Sequence, residues 1–147
     1  MSVQIRLATP GDLARVREAY ARFDYERPVR PEDAIWLAED GDEVVAVVRV
    51  VHEEGVLVLR GMRVVDRMQR RGIGTRLLQA VEEWLGERKC FCIPYAHLVS
   101  FYAQIGFERI EPEASPAFLA QRMRDYRANG LDAILMRRPI SEGPPAS

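Results

Sequence analysis

The chain reads as an α+β fold, a mixed, mostly antiparallel central sheet with one parallel βαβ crossover. Three observations carry that expectation. Residues 35–39, 43–51 and 56–65 are β-rich runs separated by the turns Asp40-Gly41-Asp42 and Glu53-Glu54-Gly55, an antiparallel meander. Residues 73–87 form an amphipathic helix between the strand 56–65 and a short buried strand 89–93. A strand, helix and strand with a parallel return give a right-handed crossover. Thr9-Pro10 and Ser115-Pro116 each pair an N-cap residue with a proline at the first helical position.

Taken in order, residues 4–8 alternate as a first strand. The helix that Thr9-Pro10 opens carries Leu13, Val16, Tyr20 and Phe23 on one stripe, with Arg15, Arg17 and Arg22 outside it. Residues 24–31 hold two prolines and read as a loop, with a helical turn at 31–34. Tyr25, Glu26 and Arg30 are its candidate acceptor contacts, although solvated side chains are the ordinary reading. Within the meander, Arg49 interrupts an apolar strand, and Arg60 and Arg63 sit on the next. Such arginines ordinarily reach the sheet edge or a carboxylate. The sharper alternative is a groove that binds an acidic group.

On the helix 73–87, Ile73, Leu77, Leu78, Val81, Trp84 and Leu85 make the apolar face. A further helix at 97–105 stops at Gly106, and Leu98, Phe101, Tyr102 and Ile105 share its stripe, ordinarily a core pattern. A strand at 107–111, a helix at 116–128 and a last strand at 131–137 follow. Residues 1–140 make one domain, and residues 141–147 a flexible polar tail.

A chain of 147 residues, 48% hydrophobic and 29% charged, is enough for one core. A net charge of −1 offers no global field for nucleic acid or an anionic membrane, so neither is an expected partner. No run is apolar enough to span a bilayer, and the N-terminus lacks a signal-peptide core, so the cytoplasm is the expected location. Cys90 and Cys92 share a strand face and read as buried reduced thiols. His52 and His97 make no metal-ligand spacing, so no metal is expected.

The stretch with chemistry in it is Gln69-Arg70-Arg71-Gly72-Ile73-Gly74-Thr75. It joins a strand to a helix start, where the first N–H groups lack internal partners and the dipole adds positive charge. Gly72 and Gly74 let a phosphate approach the backbone. A dinucleotide fingerprint would need a small residue where Leu77 stands, and a P-loop would need Gly-Lys-Ser/Thr. What remains is an anion cradle, or a glycine turn with solvated arginines.

This stretch, with Leu77-Leu78 after it, resembles the acyl-CoA signature of the GNAT acyltransferase superfamily. The likeness extends back through Met62-Arg63-Val64-Val65-Asp66 and forward to Ser100-Phe101-Tyr102-Ala103-Gln104-Ile105-Gly106-Phe107. The resemblance implies three layers with helices on both faces, and two parallel strands splayed around a pantetheine arm. It implies acetyl-CoA as acyl donor co-substrate and transfer to a primary amine of a small molecule or peptide, by direct attack on the thioester. It places the pyrophosphate on Gln69, Arg70, Arg71, Gly72, Ile73, Gly74 and Thr75. Met62, Arg63 and Val64 then lie along the pantetheine, the Val64 amide faces the thioester oxygen, and Tyr102 donates a proton to the leaving sulfur.

Two departures stand out. The stretch 57–61 lacks the acid some relatives use as a base, with Glu53 and Glu54 too early and His97 a weak substitute, so water-mediated proton loss is the expectation. Ala96 stands where an Asn is common. These departures keep open a non-catalytic acyl-CoA-binding module, and beyond it a phosphorylated-ligand binder unrelated to CoA. The helix 116–128 is also atypical, and covering the acceptor site, forming a homodimer and capping the sheet are its three possible uses.

Overall fold

The structure, a computed structural model, describes residues 2–25 and 27–138; Glu26 and the tail expected at 141–147 lie outside them. In chain order the elements are β1 (Val3–Leu7), α1 (Leu13–Arg22), β2 (Ala34–Asp40), β3 (Glu43–Glu53), β4 (Val56–Val64), α2 (Ile73–Leu85), β5 (Cys90–Cys92), α3 (Val99–Ala103), β6 (Glu108–Arg109), α4 (Ala117–Ala128) and β7 (Met136–Arg138). They build one sheet in the order β1-β2-β3-β4-β5-β7-β6. Every neighbouring pair is antiparallel except β4 and β5.

The alternation of strand side chains explains the layers. Trp36, Ala38, Val48, Leu57, Leu59, Cys90 and Cys92 face α2 and the Tyr102 region. On the other face, Ile35, Leu37, Val44 and Val47 meet Val16, Ala19 and Tyr20 of α1. Val51, Val58 and Phe91 meet Leu119, Ala120 and Met123 of α4 there. Helices therefore cover both faces, as the resemblance implied. Among the described residues no helix is long and apolar enough to cross a membrane.

The differences from the sequence reading are local. The helix expected at 97–105 is a 3-10 turn, Ala96–Leu98, followed by the short α3. The strand expected at 131–137 contracts to β7, preceded by one isolated bridge between Tyr95 and Ala133. Pro94 can accept from Ile134 but has no N–H to return, which interrupts the ladder there. The strand at 107–111 shrinks to two residues. Ser115 is not the cap of α4; Pro116 is, and the Ser115 hydroxyl donates back to the Pro112 carbonyl at 2.8 Å. Residues 31–33 hold one hydrogen-bonded turn, closed by the Asp33 N–H on the Arg30 carbonyl at 3.1 Å, and β2 already begins at Ala34.

Candidate active site

β4 and β5 pair only at Leu57–Cys90 and Val58–Phe91. Beyond Val58 the two strands part, and the resulting cavity of about 760 Å³ runs from the Gln69–Thr75 stretch to the base of α4. Its two ends have different chemistry.

At one end lies the stretch expected to cradle an anion. Arg70 and Gly72 both adopt left-handed backbone, φ 65° and 77°, and curl the chain into the start of α2. An added side chain on Gly72 would meet nothing within 4 Å, so that position is open space. The first N–H-to-carbonyl bond of α2 runs from Arg76 to Gly72, and among the described residues the amides of residues 73–75 find no acceptor. Gln69, Arg70, Gly72, Ile73, Gly74 and Thr75 all line the cavity, whereas Arg71 does not.

Two of these residues act differently from the sequence reading. A Cβ on Gly74 would stand 3.0 Å from the Phe101 ring, so this glycine lets α2 and α3 approach. The Gln69 side-chain nitrogen does not reach outward. It donates to the Val64 carbonyl at 3.1 Å and to Asp66 at 3.3 Å, bracing the turn. The Thr75 hydroxyl meets Gln104 at 3.2 Å.

The middle of the cavity is shaped by a bulge in β4. Val47 faces Arg63 while Arg49 faces Arg60, so β4 carries one extra residue between them. Gly61 provides the kink with φ 69°, and the buried Tyr20 hydroxyl donates to its carbonyl at 2.9 Å. Past the bulge, the Val65 amide donates to Val45 of β3 at 2.8 Å. Strand alternation then turns the N–H and C=O of Val64 away from β3, into the gap. Gln69 covers that carbonyl, which leaves the Val64 N–H as the available group.

Across the gap, Tyr102 is 6% exposed and lines the cavity. Among the described residues its hydroxyl has no hydrogen-bond partner, yet it is not a sealed polar atom. Burial holds the phenol well above its ordinary value; Cys92 pushes it the same way and Arg63 opposes. Burial also drives Cys90 up to about 12 and Cys92 upward, so both thiols are neutral.

The far end is cationic. Arg27, Arg60, Arg63 and Arg122 line it with Tyr25 and Tyr126. Glu53 sits behind them, pairing with Arg60 through one oxygen and with Arg122 at 2.7 Å through the other. Burial alone would raise the Glu53 carboxyl, but Arg122 and Arg60 outweigh it and hold it low. Arg63 stacks over the Tyr25 ring at 4.7 Å and donates to the Met62 carbonyl at 2.8 Å. No acidic side chain lines the cavity among the described residues.

Of the three strand arginines singled out in the sequence, Arg60 and Arg63 thus reach the cavity. Arg49 does not; it is buried against Asp33 at 3.2 Å and the Pro28 carbonyl at 2.7 Å. Of the loop candidates, Tyr25 lines the cavity, Arg30 does not, and Glu26 lies outside the described residues. His97 stacks on Tyr95 at 5.9 Å and is not part of the lining. Arg27, Arg122 and Tyr126 were not picked out from the sequence; the atypical helix 116–128 was the available signal for the last two.

The family model described as acetyltransferase (GNAT) family matches residues 5–107. No curated protein sequence matches the chain. Solved structures share the fold at low identity. A GNAT-family acetyltransferase from Streptococcus pneumoniae aligns with TM-score 0.69 and 17% identity, over 95% of this chain and 100% of that one. The ribosomal-protein-S18-alanine N-acetyltransferase from Escherichia coli gives TM-score 0.67 and 18% identity, over 99% of each chain. N-acetylglutamate synthase from Neisseria gonorrhoeae, solved with coenzyme A and N-acetyl-glutamate, gives TM-score 0.67 and 18% identity, over 97% of this chain and 36% of that one.

Proposed function

Because the chain belongs to the acetyltransferase (GNAT) family, we propose that it moves an acetyl group from acetyl-CoA to a primary amine by direct attack on the thioester. The observation that carries this reading is the parting of β4 and β5 between the cradle and Tyr102. A diphosphate placed on the amides of residues 72–75 meets unpaired donors, the helix dipole and the Arg70 side chain. From there the gap leads a pantetheine arm past Met62, Arg63 and Val64.

Each residue then has one task. Attack by a neutral amine on the thioester carbonyl carbon puts negative charge on its oxygen. The Val64 N–H, fixed by the strand and braced by Gln69, stabilises that charge without reorganising. As the carbon–sulfur bond breaks, the Tyr102 hydroxyl donates to the departing sulfur. A thiol has an ordinary pKa of about 8.5, below any phenol raised by burial, so proton transfer from Tyr102 alone runs uphill. The proton lost by the amine, passed through water, replaces the one Tyr102 gives. The products are the amide and the free thiol of CoA. With no carboxylate lining the cavity among the described residues, water serves as the proton carrier in place of a base.

The experiment incubates the purified chain with acetyl-CoA and a broad amine panel, and follows release of free thiol. Amine-dependent release supports the proposal. Tight CoA binding without release on any amine favours instead a module that binds acyl-CoA without turning it over, the reading to which the missing acid points.

A further inference from the structure

Resting on the acyltransfer reading above, we infer that the acceptor is a small amine that also carries a carboxylate, in the manner of a free amino acid. The argument starts from charge. Four arginines, Arg27, Arg60, Arg63 and Arg122, line the end of the cavity away from the cradle, and among the described residues their only acidic partner is Glu53. Glu53 uses one oxygen on Arg60 and the other on Arg122, which holds the two guanidinium groups side by side. Among the described residues, one carboxylate against four guanidinium groups leaves an excess of positive charge, with Arg60 and Arg122 partly desolvated and Arg27 exposed. The Arg60 and Arg122 side chains are only 16% and 23% exposed. A ligand carboxylate would balance that excess.

Donor geometry agrees. Arg60 spends one nitrogen on Glu53 and one on the Tyr25 hydroxyl at 3.3 Å. Arg122 spends one nitrogen on Glu53. Each therefore keeps N–H groups with no partner among the described residues, and a planar carboxylate matches two such donors.

Size follows from the rim. Arg27, on the loop before β2, donates to the Tyr126 hydroxyl on α4 at 3.2 Å, an exposed bond joining two walls of the same recess. A bridged recess suits a compact molecule better than an extended peptide. Arg122 and Tyr126 both come from α4, beyond the residues 5–107 that the family model matches. This chain's own C-terminal segment therefore furnishes the anion-binding wall.

The test pairs α-amino acids with their carboxamides and with the corresponding decarboxylated amines, using acetyl-CoA and the full chain. The expected result is a kcat/KM at least about tenfold higher for the free acid, the scale of a hydrogen bond to a charged group. Arg122→Gln should raise KM for the free acid by about the same factor, leave KM for acetyl-CoA in place, and erase the preference over the carboxamide. Arg122→Lys should restore part of it. Equal or better use of the carboxamides or the decarboxylated amines overturns the acidic-acceptor assignment while leaving acyltransfer intact. If no amine is turned over, calorimetry of the CoA-loaded protein decides. Binding of the free acids but not the carboxamides supports the assignment, and binding of neither overturns it.

Discussion

The β4 bulge gives the sharpest structural prediction, because its glycine faces a side chain that cannot move. A Cβ on Gly61 would stand 2.5 Å from the Tyr20 hydroxyl and 3.0 Å from the ring carbon that bears it. Tyr20 is 1% exposed, its ring lies 4.8 Å from that of Tyr25, and the Arg49 guanidinium sits 5.3 Å above it. No open direction is left for the ring. Gly61→Ala therefore meets three costs. The left-handed backbone contributes about 1–2 kcal/mol, overpacking a rigid site about 1–3 kcal/mol, and loss of the Tyr20–Gly61 hydrogen bond about 1 kcal/mol. The sum is about 3–6 kcal/mol.

Gly41 is the matched control. Its φ is 60°, and a Cβ there would meet nothing within 4 Å. Gly41→Ala should lose only the backbone part, about 1–2 kcal/mol. Urea unfolding of both variants measures the difference. In a Tyr20→Phe background the nearest clashing atom is gone, so Gly61→Ala should cost about 1–2 kcal/mol less than in the native chain. Equal destabilisation at Gly61 and Gly41 would refute the claim that Tyr20 locks the bulge.

Tyr102→Phe should lower kcat by about 100-fold, the scale of lost acid catalysis, while KM for acetyl-CoA stays near its starting value; steady-state thiol-release kinetics read both. Arg6 and the Thr9 amide hold the Asp12 carboxyl well below its ordinary range, and Arg6 likewise lowers Glu39. Their contribution is complete above the unfolded value near pH 4 and is lost as pH falls toward the folded values. The urea midpoint should therefore drop below about pH 4, and Asp12→Asn should flatten part of that fall. Cys90 and Cys92 are buried with raised pKa values, so an aromatic disulfide reagent should label them only at the rate of unfolding.

The long meander was legible in the sequence because its turns carry Gly41 and Gly55 at positive φ, and its strands are runs rich in β-branched residues. The turn from β4 into α2 was legible because a strand ending, a glycine suited to left-handed backbone and an amphipathic helix follow one another in the sequence. The arginines were harder. Residue type alone does not tell an arginine facing Asp33 inside the fold from one facing a cavity, and Arg49 and Arg60 lie directly opposite each other across β3 and β4. Arg27 and Arg122 are distant in sequence and meet at one recess only through the packing of α4. The bulge shifts the register of β4 by one residue, and its only sequence trace is Gly61 within an otherwise β-rich run. The last strand was overextended because Pro94, forty residues upstream of Ile134, sets where its ladder breaks.

The central claim divides CoA between two sets of backbone amides, and amide-resolved NMR tests that division directly. Inorganic pyrophosphate should shift residues 72–75 and spare Val64; pantetheine should shift Met62 and Val64 and spare the helix start; CoA should move both sets together. If CoA binds and leaves either set where it was, the diphosphate and the thioester are held elsewhere, and the mechanism built on this gap is wrong.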